Sequence, residues 1–143
     1  MKTRRTRNKR RKTNKRRGGF VLKYPKIDDT AKEMVESDLN YRGEPDEDDG
    51  RIYRYHLVLV PLDMIPSKAW NPIRFKSNCK LLEERKTTKP ILLDLGYDGK
   101  IQLVDGNHRT ECAKQYGYTH IPAIIDSPLY AKMKDKFIDL QFP

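Results

Sequence analysis

Several stretches of the chain alternate or run apolar between turn residues, and these predict strands. IYRYHLVLV (52–60) is rich in β-branched and aromatic residues and stops at Pro61. PILLDLG (90–96) and KIQLVD (100–105) flank Asp98-Gly99, a residue pair suited to a tight hairpin turn. IPAII (121–125) and FVLKY (20–24, ahead of Pro25) read as two further short strands. Elsewhere the apolar positions recur at helical spacing. Ala31, Met34, Val35 and Leu39 predict a helix near 30–40, with Thr30 and Glu33 as its capping box. Ser77 can cap a helix running to Lys86, with Leu81 and Leu82 facing inward. A helix from His108 through HRTECAKQYG is closed by Gly117 at the position after its C-cap. Ser127-Pro128 opens a last helix to about Leu140, with Leu129, Met133, Phe137 and Leu140 on one face. LDMIPSKAWNPIRF (62–75) has two prolines and no period, so it predicts a loop with a single helical turn. Strands alternating with helices predict an α/β fold, a small mixed β-sheet with packed helices.

Charge divides this pattern into three. From Met1 to Arg17 there are eleven cations and no acid: Lys2, Arg4, Arg5, Arg7, Lys9, Arg10, Arg11, Lys12, Lys15, Arg16 and Arg17. Only Met, Thr and Asn separate them, so residues 1–19 are expected to be a disordered basic arm. Such a cluster suits phosphate-backbone binding or a nuclear address. Residues 20–50 are an acidic connector holding the short helix and ending in EPDEDDG, which lacks the ligand spacing of a calcium loop. Residues 51–143 are mildly basic and hold most of the predicted elements. The whole chain, 143 residues at net charge +10, allows one ordinary domain plus a tail. Its apolar share of 36% is below the ~45–50% of typical globular domains, in keeping with an unfolded arm. No apolar run is long enough to span a bilayer, and no apolar stretch follows the charged N-terminus, so neither a membrane span nor a secretory signal is expected. Cys79 and Cys112 stand 33 residues apart with no CxxC. That spacing predicts no disulfide framework, a buried packing role for Cys112, and a reducing intracellular compartment.

The candidate chemistry lies where strand 100–105 turns into the helix at 108. Unpaired N–H groups at a helix start, with the positive end of the dipole, attract anions. Gly106 permits close approach of the backbone, and Arg109 adds a planar fork suited to phosphate oxygens. His108 adds a titratable donor, and Asp105 can orient either side chain. Asp105, His108 and Glu111 are the candidate catalytic residues, Asp105 and Glu111 also being placed to hold Mg²⁺ beside a nucleoside triphosphate. The competing reading makes Asp105 and Asn107 simple helix caps and puts Glu111 on the solvent face. His56, His108 and His120 have no metal-ligand spacing, and no metal site is expected. Of Tyr53, Tyr55, Trp70 and Tyr116, one at most is expected to stack on a base.

With these pieces in order, the stretch from His56 to Asp126, about half the chain, resembles the ParB/sulfiredoxin superfamily domain, often labelled a ParB-like nuclease domain. The matching segments are HLVLVPLDMIP, a helix, KPILL, a hairpin, and IQLVDGNHRTECAKQYGYTHIPAII, in which DGNHR is close to the family's glycine–x–His–Arg box. The resemblance implies binding of a nucleotide or phosphate by Gly106, Asn107, His108 and Arg109. Its members differ in activity. Partition proteins hydrolyse CTP and clamp DNA, sulfiredoxins use ATP to repair a peroxidised cysteine, and other relatives phosphorylate free serine. Sulfiredoxins carry a cysteine immediately before the His-Arg pair, where this chain has Asn107, which is no thiolate nucleophile. Residues 127–143 leave room for one helix and no helix-turn-helix reader of the partition type.

The sequence therefore predicts a phosphate-binding domain with a basic arm that binds nucleic acid or a nuclear import receptor. The compartment expected is intracellular, with a nuclear or virus-associated setting suited to the arm. Two alternatives stand beside it: a nucleotide-dependent phosphotransferase or nuclease working through the Asp105–Arg109 turn, and a structural protein whose site is vestigial.

Overall fold

The computed structural model describes residues 21–41, 47–48, 50, 54–66 and 71–141. The basic arm therefore lies outside the described residues, as do Tyr53, Trp70 and most of EPDEDDG.

The core is a five-stranded mixed sheet in the order β5-β4-β6-β2-β7. Its strands are β2 (Tyr55–Pro61), β4 (Ile91–Leu95), β5 (Ile101–Asp105), β6 (His120–Asp126) and β7 (Ile138–Asp139). β4 and β6 run parallel, and the other pairings are antiparallel. A two-stranded parallel ribbon, β1 (Lys26–Ile27) with β3 (Thr87–Thr88), lies outside that sheet. Four α-helices complete the described fold: α1 (Lys32–Leu39), α2 (Pro72–Arg85), α3 (Asn107–Gln115) and α4 (Ser127–Met133). The α/β class and the small mixed sheet agree with the sequence pattern.

Side-chain alternation on β2 and β6 supplies two cores. Val58, Val60, Ile121, Ala123 and Ile125 face one way, against Leu82 of α2, Cys112 and Ala113 of α3, and Leu129 of α4. Leu57 and Ile124 face the other way, against Ala31 and Val35. Both central strands are thus covered on two faces, which is why they read as nearly unbroken apolar runs. α1 and the turn before it, inside the acidic segment, close the second face.

Several expected boundaries differ. Of the expected strand FVLKY, Phe20 lies outside the described residues and 21–24 form no strand. Lys23 instead makes an isolated set of bonds, its carbonyl accepting from the Thr119 and His120 amides at 2.8 and 3.2 Å, and pairing starts after Pro25. The side-chain cap here is Asp28, not Thr30, and it caps the 3₁₀ turn Asp29–Ala31 that leads into α1. Its carboxylate accepts from the Thr30 amide and hydroxyl and from Thr87 Oγ1, serving two elements at once. These hydrogen bonds, that of the Thr30 side chain first, hold the Asp28 pKa below its usual value. α2 begins at Pro72 rather than Ser77, because proline fits the first helical position, whose N–H is an orphan. The last helix ends at Met133, and a short 3₁₀ turn leads to β7, which pairs with β2. Phe137 and Leu140 consequently join opposite cores, where one helix face was expected. His56 and His120 lie on the interior strands β2 and β6.

The cysteines depart furthest from expectation. Cys79 of α2 and Cys112 of α3 are joined by a disulfide, with Cα atoms 5.3 Å apart. Sequence spacing cannot anticipate this pairing, because it arises from the two helices packing side by side. Cys112 is fully buried, as expected, but as a cross-link rather than a free thiol.

Candidate functional site

The hairpin β4–β5 delivers the chain to α3. Gly99 turns it with φ +79°, and the Gly96 amide donates to the Lys100 carbonyl at 2.8 Å. Gly106 then bends the backbone at φ 113°, ψ 23°, in the left-handed region where a side chain is strained. A Cβ there would stand 2.4 Å from Ile91 Cγ2 and 2.7 Å from Ile91 Cβ. The close approach that requires glycine is therefore to β4 of the same chain. The carbonyl of Gly106 accepts two bonds at 2.8 Å, from the amide and from the hydroxyl of fully buried Thr110.

Gly106 is also the N-cap of α3, and as a glycine it offers the first turn no side-chain hydrogen bond. The reading of Asp105 and Asn107 as caps is thus not what the structure has: Asp105 is the last residue of β5 and Asn107 the first of α3. The amide groups of the first turn lie at a helix start with the dipole uncompensated by any acid in that turn. The other end of α3 closes as expected. Gly117 has φ 77°, the Tyr118 amide donates to the Ala113 carbonyl at 3.1 Å, and the Gly117 amide donates to Lys114 at 3.2 Å.

Around that N-terminus the structure brings Asp105 and Arg109 together. Arg109 Nη2 lies 3.4 Å from Asp105 Oδ2 and 3.4 Å from the Pro90 carbonyl oxygen. Both are long contacts. The Arg109 side chain is 18% exposed and that of Asp105 66% exposed, so the guanidinium is tucked against β4 while the carboxylate faces solvent. Arg109 Nε is buried and has no hydrogen-bond partner among the described residues. His108 is half-buried and turns its Nε2 out of contact with solvent. Glu111 is also half-buried, and its i,i+3 spacing puts it on the same side of α3 as His108. The candidate phosphate-binding residues Gly106, Asn107, His108 and Arg109 thus form one continuous turn. Pro90 and Ile91, which hold Arg109 and Gly106 in place, were not singled out from the sequence. Only the Pro-Ile start of a strand hinted at them.

The remaining candidates are dispersed. His56 stacks on Tyr130, with ring centroids 4.0 Å apart and planes within 6°. His120 is buried, with Nδ1 2.8 Å from Thr119 Oγ1. Burial lowers both histidine pKa values, with nearby carboxylates partly opposing it. No group of three or more His, Cys, Asp or Glu among the described residues is arranged to hold a metal ion. Tyr55 is packed near Tyr41, with centroids 5.9 Å apart, and Tyr116 donates its hydroxyl to Glu83 at 2.7 Å. No helix among the described residues is long and apolar enough to cross a membrane. Comparison with protein-family models and with curated proteins finds no match to this chain.

Proposed function

We propose that this chain is a ParB/sulfiredoxin-like domain that binds a nucleotide or nucleic-acid phosphate at the Asp105–Arg109 turn. The observation that carries the reading is the start of α3: a helix that opens at a left-handed glycine, with no acid in its first turn and with Arg109 beside it. A phosphate there would meet the first-turn amides and could recruit the guanidinium from its long contact with Asp105. Rearrangement is eased because the contact is long, at 3.4 Å, and its carboxylate end is 66% exposed. Nucleotide-bound Mg²⁺ needs only one or two carboxylates beside phosphate, and the exposed Asp105 side chain suits that number. The basic arm adds sequence-independent attraction to nucleic acid and can serve as a nuclear address, in an intracellular setting.

Thermal shift with ATP, CTP, ADP and pyrophosphate tests the proposal. The wild-type chain should be stabilised by at least one of them, and Arg109→Ala should remove that stabilisation. No shift at millimolar concentration with any of the four contradicts it.

A further inference from the structure

The disulfide between α2 and α3 is not equally accessible from its two ends. Cys112 is 0% exposed and sits among Ala113, Leu82 and the β-sheet, whereas Cys79 is 8% exposed. Cys79 also lines a surface cleft of about 410 Å³ between the two helices. Lys76 and Lys80 flank it there, one turn before and one residue after, and Glu83 and Glu84 stand on the next turn. Glu83 is already engaged by the Tyr116 hydroxyl at 2.7 Å. The cleft is therefore lined by two lysines together with two glutamates, and Cys79 is the end of the disulfide that lines it.

We propose that Cys79–Cys112 is a reversible thiol–disulfide switch, opened by a small zwitterionic peptide thiol of the glutathione class that attacks Cys79 Sγ from this cleft. A glutathione-type thiol has two carboxylates and one ammonium, matching Lys76 and Lys80 with Glu84 left for the ammonium. Its thiolate forms a new S–S bond to Cys79 while the Cys79–Cys112 bond breaks, and the electron pair leaves on Cys112 as thiolate. A second thiolate attacks the mixed disulfide, giving the oxidised small disulfide and a Cys79 thiolate, each protein thiolate then taking a proton from water. Two small thiols are oxidised to one disulfide as the protein bond is reduced, so the step balances. The reverse sequence, starting from the oxidised small disulfide, closes the bond. The lysines favour the first step by drawing in the anionic end of the thiol, and the second by stabilising the thiolate that leaves on Cys79.

Mapping the attacked sulfur in the full chain tests this. The oxidised protein is incubated with millimolar reduced glutathione near pH 8, quenched with N-ethylmaleimide, and digested for mass spectrometry. Glutathione should be found on the Cys79 peptide and N-ethylmaleimide on Cys112. Glutathione on Cys112, or a bond that yields only after denaturation, overturns the proposal. So does a purified chain with two free thiols that oxidised glutathione does not join. In Cys112→Ser the Cys79 adduct should accumulate, while Cys112 in Cys79→Ser should react at least about tenfold more slowly, being buried in apolar surroundings. The exposed double change Lys76→Gln, Lys80→Gln should slow glutathione severalfold while leaving the rate with uncharged 2-mercaptoethanol unchanged. Equal slowing of both thiols would contradict the assigned recognition.

Discussion

Gly106 and Ile91 are in contact so close that nothing larger than hydrogen fits between them: a Cβ on the glycine would lie 2.4 Å from Ile91 Cγ2. The start of α3 is thereby fixed against the first residue of β4, and the first-turn amides and Arg109 are aimed by that contact. Gly106→Ala combines the left-handed backbone penalty, about 1–2 kcal/mol, with overpacking of about 1–3 kcal/mol. A loss of roughly 2–5 kcal/mol is expected in urea unfolding, with Gly106→Val worse. Ile91→Ala in the same chain should relieve the Cγ2 part of the clash but keep its own Cβ 2.7 Å from the new one, so the two changes should be non-additive and the rescue only partial. An alanine variant as stable as wild type would show that the contact does not govern the turn.

The histidines predict a pH dependence with a definite sign. Burial lowers the pKa of His56 and of His120, so the unfolded chain binds more protons than the folded one as pH falls below the ordinary histidine value. Their contribution is complete above about pH 6.5 and is lost as pH falls through the lowered folded values. The midpoint of thermal unfolding should therefore rise between about pH 5 and pH 7. His56→Phe preserves a ring against Tyr130 and should flatten part of that rise with little change at pH 8. An unaltered slope would place the titration elsewhere.

The basic arm makes its own prediction. Each phosphate neutralised on duplex DNA contributes about −0.9 to the slope of log K against log salt, and eleven cations cannot all engage. A slope of roughly −5 to −8 is expected for the intact chain, and removal of residues 1–19 should abolish most of it. Equal binding of a random duplex by both forms at ~100 mM salt would remove nucleic acid from the arm's role.

How much of this was legible in the sequence depended on whether the determining contact was local. The run from β4 to Gly117 was readable because its punctuation is local: Asp98-Gly99 for the hairpin, Gly106 before α3, Gly117 after it. Even there, a second demand for glycine at 106 is not local, since Ile91 is fifteen residues upstream and only pairing of β4 with β5 brings it near. Asp28 displaced Thr30 as a cap because it can also bind Thr87, a long-range partner. The tail 127–140 keeps helical spacing, yet Ile138 and Asp139 find backbone partners on β2 that a continued helix would forfeit. The disulfide required knowing that α2 and α3 are neighbours, which the spacing of two cysteines does not encode.

The central claim, that the turn from Asp105 to Arg109 receives a phosphate, is tested most directly by amide NMR on the full chain. Titration is made with ATP, CTP and pyrophosphate at ~300 mM salt, where the arm's long-range attraction is screened to within a Debye length of ~6 Å. The account predicts saturable shifts of the Asn107, His108 and Arg109 amides with at least one ligand. Arg109→Ala should weaken binding by roughly tenfold to a hundredfold, the ~1.5–3 kcal/mol of a lost charge-assisted contact. Arg109→Lys should recover part of that, since a point charge cannot reproduce the planar fork. Shifts confined to residues 1–17, or none at millimolar ligand, would contradict the claim.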